Sequence, residues 1–153
     1  MAPRPLDHAP AEINFVILVL HHPPYTLSSP TITGNGHGVR VQEAKLAQWL
    51  ETRQQGTRAR FVVFAGHVHN YERHEHGGVV YFVTGGAHPY PVARDAGDPL
   101  FEEKVNYDYL LVEGEGAKMI VTMNRFDMKD GKTTWAQPDK VEIEVPGAPG
   151  KEK

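Results

Sequence analysis

Two apolar runs that empty straight into histidine constrain this chain more than anything else in it. The first, INFVILVL over 13–20, leads into His21-His22; the second, RFVVFA over 60–65, leads into Gly66-His67-Val68-His69. Both runs are nearly continuous rather than alternating, the pattern of strands covered on both faces. Between them, VRVQEAKLAQWLETRQQ carries Val41, Ala44, Leu46, Ala47 and Leu50, read as one face of a helix, and Gly56 stops it. Strand, helix, strand predicts a βαβ unit with a parallel pair. Both histidine sets then emerge at the same C-terminal sheet edge, where open α/β sheets hold their ligands.

The rest of the chain is organised around that unit. HHPPYTLSSPTITGNGHG is too rich in Pro, Gly, Ser and Thr to be anything but a loop, longer than most connections in compact domains. YERHEH, GG and VVYFVTGG predict a hairpin with a glycine turn. After the polar loop AHPYPVARDAGDP, the runs YDYLLVEG, KMIVTMNRFD and KVEIEVP predict strands, with turns at EGEG and KDGK marking an antiparallel meander. The expected organisation is a flexible leader over 1–12, one α/β unit over 13–146 and a flexible tail over 147–153. A chain of 153 residues has room for one such core and not comfortably for two.

The 0 cysteines exclude thiolate metal sites, so an ion would be held by oxygen and by some of the 9 histidines. Neutral imidazole suits Zn, Fe, Mn and related ions. In an extended segment residues i and i+2 project to one side, so His67 and His69 are expected to converge, with His21 opposite. The residues alone leave two readings open for this trio: a metal site, or strand-end histidines bonded to backbone and water. His8, His74 and His76 are read as surface residues, the last two at a solvated hairpin tip. The formal charge of −3 offers no footprint for nucleic acid or an anionic membrane. The longest apolar run, Ile13 to Leu20, is too short to span a bilayer, and MAPRPLDHAP lacks the apolar core of a secretory signal. Nothing here names a compartment.

GHVHNYER and the upstream HHPPY together resemble the last two signature blocks of the calcineurin-like metallophosphoesterases, in the form of the purple acid phosphatase branch. The likeness runs on through GGVVYFVTGGA and the closing strands. It implies the C-terminal half of a metallophosphoesterase-type layered β-sandwich with flanking helices, and metal-dependent phosphoester hydrolysis. By position, His21 and His67 match ligands of one metal and His69 a ligand of the other. His22 falls at a variable position and is not a ligand by this match. His37 matches, loosely, a histidine that contacts the substrate phosphate or protonates the leaving group. Tyr25 belongs to the first block; Tyr71, Glu72 and Arg73 continue the second and are expected to support the ligands. His88, after the glycine pair that ends a strand, is read as a surface-loop residue or as part of the pocket rim.

The complete family site holds two Fe, Zn or Mn ions about 3.5–4 Å apart across anionic oxygen. The blocks that supply the bridging aspartate do not precede His21 here. The expectation is therefore at most one firmly held ion, and little or no turnover without completion by a complementary N-terminal half or a second copy of the chain. The other reading is a non-catalytic metal-binding remnant or interaction module.

Overall fold

Short apolar stretches such as FVILVL, RFVVFA and VVYFVT are long enough to pair as strands and too short to bury themselves, so layering decides the fold. The computed structural model describes residues 10, 12–28, 37–86 and 107–147; His8, His88, the AHPYPVARDAGDP loop and most of the expected leader and tail lie outside them. The elements run β1 Phe15–Leu20, α1 Val41–Gln54, β2 Arg60–Ala65, β3 Tyr71–His76, β4 Val79–Thr84, β5 Tyr107–Glu115, β6 Lys118–Lys129 and β7 Lys132–Glu144. They form a mixed α/β fold with a four-stranded sheet in the order β1-β2-β4-β3 and a three-stranded sheet in the order β5-β6-β7. The expected parallel pair is present: β1 runs parallel to β2, and β2 to β4, while β3 returns antiparallel to β4.

The first sheet is the middle layer. On one side Phe61, Val63, Val79 and Tyr81 bury against Ala47 and Leu50 of α1. On the other, Val62, Tyr71, Val80 and Phe82 meet Met119, Val121, Met123 and Ile143 of the second sheet. Strand alternation serves both layers at once, which is why RFVVFA reads as a continuous run.

Three details differ from the sequence reading. Val41 is 64% exposed and Ala44 is exposed too; the buried stripe of α1 is Ala47 and Leu50, flanked by Leu46 and Trp49. At 3.6 residues per turn, Val41 and Ala44 point away from the face that centres between Ala47 and Leu50. Next, β7 starts eight residues before KVEIEVP and takes in TTWAQPD. Its Pro138 sits where the pairing of β6 and β7 is irregular, between Arg125↔Ala136 and Met123↔Asp139, on an edge strand where a missing N–H is tolerated. Lastly, β1 is not covered on both faces. Val16, Leu18 and Leu20 pack toward α1, but Ile17 and Val19 are 51% and 79% exposed on the face where Phe15 meets the inter-sheet core. Among the described residues, no strand pairs with the outer edge of β1. Nor is any described helix long and apolar enough to cross a membrane.

The two sheets are clamped at the far edge from β1. Asp139 of β7 accepts Tyr71 Oη at 2.7 Å and Arg73 Nε at 2.7 Å, both from β3. Burial alone would raise the Asp139 carboxyl, but the bonds from Arg73 and Tyr71 hold it below the ordinary carboxylate range. The sign follows: a depressed folded value contributes stability above the unfolded pKa, lost as pH falls through the folded one. Acid denaturation of the wild type should therefore include a limb below the ordinary Asp range that Asp139→Asn flattens, read by circular dichroism against pH. An unchanged acid limb in the variant would show that the clamp adds nothing.

Candidate metal centre

Because β1 and β2 pair in register from Phe15↔Arg60 to Leu20↔Ala65, they end side by side. The next residues, His21-His22 and Gly66-His67, are thus delivered to one point. His67 Nδ1 lies 3.2 Å from His21 Nε2 across the strand ends. His22 joins them: one ring nitrogen from each of His21, His22 and His67 lies within 4.8 Å of the others. Ring centroids are 4.6 Å apart for His21–His22, 5.0 Å for His21–His67 and 4.3 Å for His22–His67. His21 is exposed and the other two half-buried, so the cluster opens to solvent.

His69 is not part of this trio. The spacing argument assumed an extended backbone, and the loop is not extended. His67 sits at φ 64°, in the left-handed region, and the chain winds tightly through Val68 N→Gly66 O at 2.7 Å and Asn70 N→Val68 O at 2.9 Å. Such winding breaks the rule that i and i+2 share a side. The left-handed conformation costs a non-glycine residue about 1–2 kcal/mol, and such strain concentrates at functional sites.

His37 returns from the loop to a buried position, 3% exposed, with its ring 5.1 Å from that of His67. Burial, then the neighbouring His69, lower its pKa and favour the neutral ring. The His22 pKa is lowered as well, first by burial and then by Arg40 and His21. Its Nδ1 faces Glu43 Oε1 of α1 at 4.0 Å. Leu20, His21, His22, Gln42, Glu43 and Leu46 line an open cleft between the strand end and the first turn of α1.

The residues around the loops hold them from below. Glu72, 1% exposed, accepts Leu27 N at 2.9 Å, Thr26 Oγ1 at 3.0 Å and Asn70 Nδ2 at 3.3 Å, and meets His74 Nε2 at 2.9 Å. It ties the loop behind His22 to the loop that carries His67. Arg73, with Tyr71, serves the inter-sheet clamp instead. Tyr25 donates to Glu51 Oε1 at 2.6 Å and stacks on His76 at 4.0 Å, and burial first, then Glu51, push its pKa up to about 12. The hairpin histidines are thus not a merely solvated tip: His74 bonds Glu72 and His76 lies against Tyr25.

Sequence reasoning missed two contributors, Glu43 and Gly85. Glu43 reads as an ordinary acid in a first helical turn. Asp108, inside YDYLLVEG, is buried beneath Gly86 and accepts Thr84 Oγ1 at 2.9 Å, which ties the start of β5 to the end of β4 rather than to the histidines. Gly85, one half of a glycine pair, is pressed against the loop that carries His67: a Cβ there would lie 2.2 Å from Val68 O and 2.9 Å from His69 Cα.

The donor set decides which ion fits. Two imidazole nitrogens at 3.2 Å repel unless a proton or a cation lies between them. Nitrogen donors without carboxylate suit Zn, Cu, Ni or Co better than Mg or Mn. Among the described residues no carboxylate joins the cluster to bridge a second ion.

No family model matches the chain, and no curated protein matches it. Solved structures do. Vps29 from Chaetomium thermophilum is 16% identical, with a TM-score of 0.46 over 70% of this chain and 52% of that one. Entamoeba histolytica Vps29 complexed with Zn2+ is 19% identical, with a TM-score of 0.38 over 69% and 48%. Vacuolar Protein Sorting 29 from Cryptosporidium parvum is 17% identical, with a TM-score of 0.34 over 78% and 65%. Vps29 has the calcineurin-like metallophosphoesterase fold; none of these structures speaks for the purple acid phosphatase branch. The chain spans about half the length of the first two. At such identities and scores, any functional reading rests on the chain's own residues.

Proposed function

We propose that these residues form the histidine-bearing portion of a metal-dependent phosphoester hydrolase of the calcineurin-like type, holding one transition-metal ion through His21 and His67. The single observation that carries this reading is the 3.2 Å approach of His21 Nε2 and His67 Nδ1 at the ends of two parallel strands. His67 is held there in a strained backbone conformation. A bound ion would act as a Lewis acid toward a phosphate oxygen and lower the pKa of a bound water. What the chain itself supplies is placement: Glu72 fixes both ligand loops, and neutral His37 stands beside His67 to donate to a phosphate oxygen or leaving group.

Complete turnover needs anionic oxygen that this cluster lacks, so the reading includes a completing segment, either a complementary N-terminal half or a second copy. Among the described residues no strand pairs with the outer edge of β1, and Ile17 and Val19 are exposed beside it, which supports that need. The same two observations favour a second reading, a non-catalytic metal-binding interaction module.

Titration with Zn2+ should give one ion per chain, and His21→Ala and His67→Ala should each weaken it at least about 100-fold. Activity on a generic phosphomonoester should be at background for the chain alone. Two firmly held ions would mean a carboxylate ligand had gone unseen, and no uptake at all would sink the metal reading. Turnover that appears only on adding a completing partner separates the hydrolase from the interaction module.

A further inference from the structure

The ion in the proposed site needs a third donor, and the geometry, not the position-by-position likeness, supplies one. The likeness leaves the third place on this ion unfilled and gives His69 to the other metal; the geometry brings His22. We infer that His22 is the third ligand, and that Glu43 on the first turn of α1 is the positioning residue that aims it. This deepens the metal reading and rests on it.

Three observations support the pairing. His22 Nδ1 faces Glu43 Oε1 at 4.0 Å, short of a hydrogen bond but with the carboxylate on that side of the ring, so an ion would take Nε2. Metal-bound histidines generally give their other ring nitrogen to a carboxylate or carbonyl, which fixes the tautomer and raises the basicity of the ligating nitrogen. The second Glu43 oxygen, Oε2, is buried and has no hydrogen-bond partner among the described residues. A carboxylate kept dry on one oxygen is costly unless it answers a positive charge nearby, and an ion held by His22 supplies one. Finally, His21, His22 and Glu43 line one open cleft, so an ion reaches them from solvent without any rearrangement of the core. The site so built is mononuclear with three imidazoles, which leaves a coordination position for water or a phosphate oxygen.

Cobalt(II) is the probe, because its visible d–d band reports coordination geometry directly. The wild type should take one Co2+ per chain with an intense, four-coordinate band. His22→Ala should weaken Co2+ at least about 100-fold and abolish the band. Glu43→Ala and Glu43→Gln should each weaken it about 10-fold and shift the band, at an unchanged melting midpoint, and Glu43→Asp should restore part of the affinity. A merely structural glutamate would move the midpoint and leave the band alone. Wild-type affinity in His22→Ala, with binding lost in His69→Ala, would overturn this inference and leave the metal reading standing. Wild-type affinity and band in Glu43→Ala would overturn the positioning role. No Co2+ uptake by the folded wild type would overturn both the metal reading and this one.

Discussion

Glu72→Ala is expected to destabilise the chain by about 3–5 kcal/mol, the range for removing one member of a buried charged network. The carboxylate is 1% exposed and is the common partner of Thr26, Leu27, Asn70 and His74. Its removal leaves the Leu27 amide and the Asn70 carboxamide without an acceptor in a space alanine cannot fill. Glu72→Gln keeps the shape but turns one acceptor into a donor facing other donors, so a smaller loss should follow. Urea unfolding measures both. The alanine variant should also lose ion binding even where it remains folded, because the His22 and His67 loops are no longer tied together. A loss below about 1 kcal/mol would mean the loops are positioned by something else.

Gly85→Ala should be nearly as damaging and for an unrelated reason. The new Cβ would stand 2.2 Å from Val68 O and 2.8 Å from Val68 C. Those atoms are backbone, so no rotamer change relieves the overlap; either β4 or the loop carrying His67 must move. Overpacking commonly costs about 1–3 kcal/mol, and a clash with main chain belongs at or beyond the top of that range. Gly114→Ala is the control, since nothing lies within 4 Å of a Cβ there and its φ is not positive. Equal urea midpoints for the two variants would falsify this account of the glycine pair.

Much of the frame was legible because it depends on pattern. Continuous apolar runs mark strands between two layers whatever the details, and parallel strands that end in register must bring their following residues together. That was enough to place His21 beside His67. The rest turned on local dihedrals and side-chain facing. Nothing in GHVH signals that His67, not Gly66, adopts the left-handed conformation, so the i, i+2 argument did not foresee that His22 rather than His69 joins His21 and His67. The contribution of Glu43 depends on how α1 rolls against β1, which Val41 and Ala44 disguised. TTWAQPD gave no alternation and contains a proline, so its place in β7 is visible only beside β6.

The left-handed backbone of His67 has an evolutionary consequence. Glycine adopts a φ of 64° without steric cost, so His67→Gly would gain about 1 kcal/mol on backbone grounds while deleting the proposed ligand. If the chain holds the proposed ion, selection for a sturdier fold and selection for the ion pull this one position in opposite directions. A lineage released from any need for the ion would drift toward glycine there.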